Sequence, residues 1–316
     1  MNDLQTGCAT LSDDGLPVER HPLVLVCAAD DGFAMPLAVT LYSALLNYRG
    51  PLPIKVCIVD GGIRAPNRKR VDRVLGDLGV VAEWLEPDWR PVQRLVVSQR
   101  YPASIYLRLL IPRLLPDWVG KAIYLDSDLL VHGNISDLWD VDSRGKALLA
   151  VQDEGAPTVG SPLGLANYRD LGLDPSTVYF NSGVLVFDLR LWRERRLADR
   201  VIEYVAAHPN QLRFGEQDAL NAVLAGGWGV LDAKWNQLVS PWEGHDAREY
   251  IPGILHFVSR CKPWNPGGAH WTNFIYDRYL KRSGWYNSLE WWKYYVPLLV
   301  QRNWVICLRS RGYPSG

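Results

Sequence analysis

Short apolar runs recur through the first 125 residues of this chain, each followed by a stretch of helical period. "HPLVLVCAAD", "IKVCIVD", "VVAEWLE" and "KAIYL" are the runs. Apolar residues without polar alternation mark strands buried on both faces, and parallel strands covered by helices on each side bury them that way. "MPLAVTLYSALLNY" predicts a helix with Pro36 in its first turn. "APNRKRVDRVLGDLG" predicts an amphipathic one that stops near Gly79, and "SIYLRLLIPRLL" also reads as helical. Beyond residue 145 the order becomes mixed: "KALLAVQD", "GVLVFDL", a charged helix "LWRERRLADRVIEYVAAH", a helix "EQDALNAVLAGG" and a late strand "GILHF". The expected fold is α/β, with a mixed, mainly parallel central sheet flanked by helices. Ligands then belong at the carboxyl ends of the strands.

A length of 316 residues suits one large domain or two intimately packed halves. Lys+Arg and Asp+Glu are equal at 34 each, so no overall field draws the chain to nucleic acid, and any charged partner must be recognised locally. The five cysteines are scattered without a CxxC pair, and Cys27 and Cys57 sit in apolar runs as small core residues. That usage fits a reducing compartment. The first residues are polar and acidic, with no apolar segment after a basic start. No stretch reaches the roughly 18 apolar residues of a spanning helix. The expectation is a cytoplasmic protein with a flexible leader at 1–20, a catalytic domain at 21–285 and an aromatic, basic C-terminal segment at 286–316.

The chemistry begins in "KAIYLDSDLLV". On extended backbone, residues two apart point the same way, so Asp126 and Asp128 face one ligand at the strand end. A hard divalent cation relieves their repulsion; the competing reading is a solvated turn. Asp30 and Asp31 close the first strand in "VCAADDGF", on the same sheet edge if the strands are parallel. One of them is placed to accept from a nucleobase or ribose, with Gly32 allowing close approach. "ILHFVSRCKPW" supplies His256, an apt third ligand for Mn²⁺, and Lys262, a point charge for phosphate. A lone histidine in an apolar strand is more often a core residue; the company of Lys262 and the acidic pair argues for a metal-bound diphosphate.

Six blocks in order, "VCAADDGF", "SIYLRLLIPRLLP", "KAIYLDSDLLV", "YFNSGVLVFDL", "FGEQDALN" and "HFVSRCKPW", resemble the family 8 glycosyltransferases over roughly residues 22–275. These are retaining enzymes of the GT-A fold that use nucleotide-diphosphate sugars. The likeness is strongest to bacterial galactosyl- and glucosyltransferases that extend surface glycans such as lipopolysaccharide. The resemblance implies a UDP-galactose or UDP-glucose donor, a glycan or glycolipid acceptor, and Mn²⁺ (or Mg²⁺) held by Asp126, Asp128 and His256. It implies that Ala28 and Asp30 hold the uracil, Phe33 packs on it, Lys262 binds the phosphates, and Asp126 with Ser127 contacts the donor. Arg108, Asp153 and Asn181 would reach the donor sugar, with Gln217 near the anomeric carbon. Gln217 is a poor nucleophile, which favours front-face attack, while Glu216 keeps a double displacement open.

Two positions depart from the family pattern. Glu216 stands where an aspartate is usual, and its extra methylene re-aims a donor-hydroxyl contact. Ser259 replaces a frequent glycine near the phosphate loop. These departures keep alive a nucleotide-sugar-binding scaffold without transfer activity. A haloacid-dehalogenase-type phosphatase is the more distant alternative, since it places its aspartate early in the domain. Most of the 14 tryptophans fall after Trp228; Trp235, Trp242 and Trp271 are candidates to stack on an acceptor sugar. The tail "EWWKYYVPLLVQRNWVICLRSRG" mixes aromatic and basic residues, as in a segment lying on the inner face of a membrane or a terminal helix docked on the catalytic domain.

Overall fold

The structure, a computed structural model, describes residues 21–95, 102–239, 253–258, 262–265 and 272–310. Ser259, Trp242 and Trp271, and the leader at 1–20, lie outside them. The strands are β1 (Leu23–Ala29), β2 (Ile54–Asp60), β3 (Ala82–Leu85), β4 (Lys121–Leu125), β5 (Leu129–Val131), β6 (Leu148–Gln152), β7 (Phe180–Asp188), β8 (Gly229–Val230), β9 (Gln237–Leu238) and β10 (Ile254–His256). The α-helices are α1 (Ala34–Leu46), α2 (Ala65–Gly76), α3 (Ile111–Leu114), α4 (Ile135–Trp139), α5 (Leu189–Glu194), α6 (Leu197–Ala207), α7 (Glu216–Leu224), α8 (Asn273–Arg282) and α9 (Ser288–Ser310).

Seven strands form one sheet in the order β3-β2-β1-β4-β7-β6-β8. β1, β2, β3 and β4 run parallel, and β7 is antiparallel to both β4 and β6. The period of two explains why their apolar runs are unbroken. Leu23, Leu25 and Cys27 of β1 join one core with α1 and α2, while Val24 and Val26 join a second core on the opposite face. In β4, Ile123 and Leu125 face the first core, and Ala122 and Tyr124 the second. Cys27 and Cys57 are fully buried, as expected of small core residues. A smaller sheet of order β5-β10-β9 adjoins the end of β4.

Two helices differ from their sequence pattern. "SIYLRLLIPRLL" forms a 3₁₀-helix over Ala103–Leu110 before the single α-turn of α3. Pro112 has no N–H to offer the Arg108 carbonyl four residues back, and the Ile111 N–H takes that carbonyl instead. The charged helix after β7 is two helices, α5 and α6, broken at Arg196, whose φ of 49° is left-handed. No glycine or proline marks the break; the Arg196 Nε contact to Asp199 Oδ2 at 3.0 Å holds it.

α1 carries a polar stripe, Thr40, Ser43 and Asn47, within an otherwise apolar sequence. β5 pairs with β10 along one edge, and this stripe serves the other. Thr40 Oγ1 lies 2.8 Å from the Leu129 carbonyl and accepts the Leu129 N–H at 3.2 Å. Ser43 Oγ accepts the Val131 N–H at 2.9 Å, and Asn47 Nδ2 donates to the Val131 carbonyl at 2.8 Å. A strand edge is thus satisfied by side chains of a helix, which meets the requirement that buried backbone groups be paired. Thr40 is fully buried. Thr40→Val keeps the shape and strands the Leu129 N–H, so it should lower unfolding free energy by about 1–3 kcal/mol. Urea denaturation measures this, and an unchanged midpoint would contradict the role given to the hydroxyl.

Candidate active site

β1 and β4 are adjacent and parallel, so their carboxyl ends open on one side of the sheet. There a cavity of about 510 Å³ is lined by Ala28, Asp30, Phe33, Arg108, Asp126, Ser127, Asp128, Asp153, Asn181, Glu216, Gln217, His256 and Lys262. The donor, metal and catalytic candidates read from the sequence are all among them, drawn from strand ends, turns and helix ends far apart in the chain.

Asp126 leaves β4 with its N–H donated to the Gly183 carbonyl of β7 at 2.8 Å. Its Oδ1 accepts from Arg108 Nη2 and from the Tyr124 hydroxyl, both at 2.7 Å. The chain then turns through residues 127–128 rather than continuing extended, so convergence of the two aspartates comes from this turn and not from strand alternation as the sequence suggested. Ser127 Oγ fixes the turn by donating to the Ala28 carbonyl at 2.9 Å. His256 pairs with Leu129 across β10 and β5, and the Phe257 N–H donates to the Asp128 carbonyl at 3.0 Å. That pairing brings His256 Nε2 to 3.3 Å from Asp128 Oδ1 and 4.0 Å from Asp126 Oδ2.

One ligand atom from each of Asp126, Asp128 and His256 lies within 4.8 Å of the others. Two carboxylates and an imidazole suit a borderline-hard divalent cation. At Asp128 the charge state fits as well. Burial opposes ionisation of Asp128, but Lys262 and His256 overcome it and hold the carboxyl well below the usual range. Lys262 Nζ sits 2.6 Å from Asp128 Oδ2. For Asp126 burial wins and raises the pKa, with Arg108 opposing and Asp128 adding to the rise. The residues present therefore fit a metal ion.

At the β1 end, Asp30 faces the cavity, its Oδ1 accepting the Gly32 N–H at 3.0 Å and its Oδ2 the Ser104 hydroxyl at 2.8 Å. Asp31 turns to Arg64 and Asn67 instead, which separates the two members of the acidic pair. Phe33 lines the cavity and meets Trp264 edge-on at 6.1 Å.

At the opposite end Asp153 Oδ2 accepts from Asn181 Nδ2 at 2.9 Å and Gln217 Nε2 at 3.2 Å. Gly215, at φ 60° and ψ −125°, makes the turn that starts α7 with Glu216 and Gln217 in the wall; only glycine adopts that conformation readily. Glu216 lies 3.3 Å from Arg108 Nε and accepts from Ser182 Oγ at 3.4 Å. Arg108 also donates Nη1 to the Ser182 carbonyl at 2.7 Å. This guanidinium therefore joins Asp126 to Glu216, besides lining the cavity.

Sequence reasoning passed over Tyr124, Ser182, Asn236 and Asp218. Asn236 Oδ1 lies 2.9 Å from His256 Nδ1. Asp218 accepts the Arg213 and Phe214 N–H groups and the Tyr179 hydroxyl, fixing the approach to α7. Asp218 stands in the quoted "FGEQDALN" and Asn236 in "KWNQL", but no local pattern distinguishes them from surface polar residues. Trp235 is a correction: it is 4% exposed, packed in the core beside Val131 and Ile254, and offers no face to an acceptor.

The model of the family described as "Glycosyl transferase family 8" matches residues 24–267. The chain belongs to glycosyl transferase family 8. It is 31% identical over 277 residues to General stress protein A of Bacillus subtilis (strain 168), covering 83% of this chain and 94% of that protein. It is 25% identical over 245 residues to the lipopolysaccharide 1,2-glucosyltransferase of Escherichia coli (strain K12), 70% of this chain and 71% of that one. The crystal structure of galactosyltransferase LgtC with donor and acceptor sugar analogs superposes at a TM-score of 0.73 and 22% identity, over 86% of this chain and 99% of that chain. The fold is that of GT-A glycosyltransferases. As a family 8 member the chain is a glycosyl transferase, and the phosphatase alternative falls.

Burial pushes the Glu216 carboxyl up to about 7, with Arg108 opposing the rise and Asp126 adding to it. A raised acid binds its proton more tightly folded than unfolded. Its contribution to stability is therefore complete below the unfolded value of 4.5 and is lost as pH rises through about 7. Relative to Glu216→Gln, the metal-free wild type should lose about 2–3 kcal/mol of unfolding free energy between pH 5 and pH 8. Urea unfolding at the two pH values tests this; parallel behaviour of the two proteins would refute it.

Proposed function

We propose that this chain is a retaining hexosyltransferase, moving galactose or glucose from a UDP-sugar to a hydroxyl of a glycan or glycolipid, with Mn²⁺ as cofactor. The observation that carries this reading is the single cavity in which Asp126, Asp128, His256 and Lys262 stand together while Asp153, Asn181, Glu216 and Gln217 line the same walls. Charge in the reaction divides the same way. The bond from the anomeric carbon to phosphate breaks, leaving negative charge on the departing diphosphate and positive charge on the sugar.

When bound, a divalent cation would supply Lewis-acid stabilisation of the diphosphate oxygens. Asp126, Asp128 and His256 would hold it. Lys262 has its ammonium at the same place and adds a positive charge for phosphate. Ala28, Asp30 and Phe33 receive the base: Asp30 is fixed as an acceptor by its Gly32 and Ser104 contacts, and Phe33 offers a ring face or edge. Asp153, Asn181 and Gln217 line the wall beside which the electron-poor sugar would lie.

Front-face attack is favoured, with the departing phosphate taking the acceptor's proton. Glu216 is engaged by Arg108 and Ser182, and burial pushes its carboxyl up to about 7, so a sizeable share stays protonated at neutral pH, where it is no nucleophile. The residue that differs from the family pattern thus reads as a wall of the donor-sugar pocket. A scaffold without activity predicts binding alone, and catalysis separates the two. Purified protein with Mn²⁺ should release UDP from UDP-galactose or UDP-glucose, and Asp128→Asn should lose nearly all of that release. Retained activity in the variant would remove the metal assignment; binding without any release in the wild type would favour the scaffold.

We also propose contact with an anionic membrane surface through α9. No helix among the described residues is long and apolar enough to cross a membrane. α9 buries Trp291 and Leu298 against the domain while Leu289, Trp292, Val296, Leu299 and Val300 stay exposed. Their spacing of three and four residues makes one stripe, opposite to the docked face. Trp292→Ser combined with Val300→Ser should abolish flotation with anionic vesicles while leaving UDP release intact. Equal flotation of the two proteins would end the membrane proposal.

A further inference from the structure

Among the described residues, the imidazole of His256 is joined to the sugar-facing wall by a chain of buried amides whose orientation has one solution. The Gly183 N–H points at Asn181 Oδ1 from 2.9 Å. A backbone N–H can only donate, so the Asn181 atom facing it must be oxygen. The Asn181 nitrogen then faces Asp153 Oδ2 at 2.9 Å, which can only accept while the carboxylate is ionised. Asp153 is itself fixed, its Oδ1 receiving the Gly155 and Ala156 N–H groups at 2.9 and 3.0 Å.

Asn236 meets the same Asn181 oxygen at 2.9 Å and must present its nitrogen there. Its own oxygen is left facing His256 Nδ1 at 2.9 Å. Nδ1 must therefore carry a proton. In the neutral ring Nε2 is then a lone pair, and it is the atom that looks onto Asp128 and Asp126. Asn181, Asn236 and His256 are 6%, 2% and 5% exposed, so a flipped amide anywhere in the chain would set like groups head to head out of reach of water.

Gly183 has a second part in this. A Cβ added there would lie 2.3 Å from His256 Cε1 and 2.6 Å from Nδ1. The ring occupies the space a side chain would need, while the Gly183 N–H sets the sense of the amide chain.

We propose that Asn236 is a positioning residue that holds His256 as its Nδ1–H tautomer, directed by the Gly183 N–H through Asn181, so that Nε2 stands ready as a ligand for a divalent cation. Second contacts of this kind typically change metal affinity 10–100-fold. The inference rests on the metal reading of the site and not on the identity of the sugar.

The test uses the full chain labelled with ¹⁵N in its histidines, and Mn²⁺ alone as the probe. With the ring neutral, long-range ¹H–¹⁵N spectra should show His256, assigned by its absence in His256→Gln, protonated on Nδ1. Asn236→Leu removes the acceptor; the Nε2–H form should appear, and calorimetry should show Mn²⁺ binding about 10–100-fold weaker. Asn236→Asp keeps an acceptor for Nδ1 and should bind Mn²⁺ within a few-fold of wild type, even though its contact with Asn181 is disturbed. A wild-type ring protonated on Nε2 would overturn the proposal. So would an Asn236→Leu protein that binds Mn²⁺ normally, or an Asn236→Asp protein as weak as the leucine variant. If the leucine variant does not fold, the wild-type tautomer decides alone. None of these readings depends on sugar transfer, so a chain that transfers no sugar can still pass the test.

Discussion

Two carboxylates close together below the surface are the constraint that the surrounding structure answers. Asp126 and Asp128 are flanked on one side by a buried guanidinium and on the other by an ammonium and an imidazole. The division is unequal. Arg108 and Tyr124 use Oδ1 of Asp126, while Lys262 and His256 address Asp128. Arg108 must also carry Glu216, and burial pushes that third acid up to about 7, which tempers the negative charge it adds to the site. A Lys at position 108 would lack the fork that reaches both acids and the Ser182 carbonyl together.

Much of this was legible in the residues because it rests on periodicity and strand ends. Uninterrupted apolar runs mark strands covered on both faces, parallel order places their carboxyl ends together, and the acids that follow then share an edge. The convergence of Asp30 and Asp126 on one cavity follows from those three steps, whereas His256 arrives from β10 of the smaller sheet. What was hidden is of another kind. Thr40, Ser43 and Asn47 resemble the polar residues of any helix, and only the tertiary structure shows them completing a strand edge. Asn236 follows a tryptophan that was itself misread, because an indole bound for the core and one bound for a sugar look alike in sequence. The break at Arg196 has no glycine or proline to announce it; a left-handed arginine stands there with its side chain on Asp199, three residues on.

The polar wall opposite the metal ligands is more connected than a row of independent contacts. Gln217 accepts the Ser182 N–H at 3.0 Å and donates to Asp153 and to the Tyr179 hydroxyl, both at 3.2 Å. Tyr179 in turn donates to Asp218 at 2.6 Å. Each amide has its sense fixed by a backbone donor, Gly183 for Asn181 and Ser182 for Gln217. Pre-set polarity of this sort stabilises charge without reorientation during a reaction, and at Asn181 and Gln217, where a backbone N–H sets the sense, it leaves little tolerance for isosteric exchange of amide for carboxylate.

The chain crosses from one sheet to the other within the turn between Asp126 and Asp128. Asp126 closes a strand of the seven-stranded sheet, whereas Asp128 precedes β5 and His256 ends β10, both in the three-stranded one. An ion gripped by all three would act as a rivet between the layers. With the ion withdrawn the small sheet would lose that tie while keeping its bonds to α1, and its amides should surrender deuterium protection before those of β1 and β4.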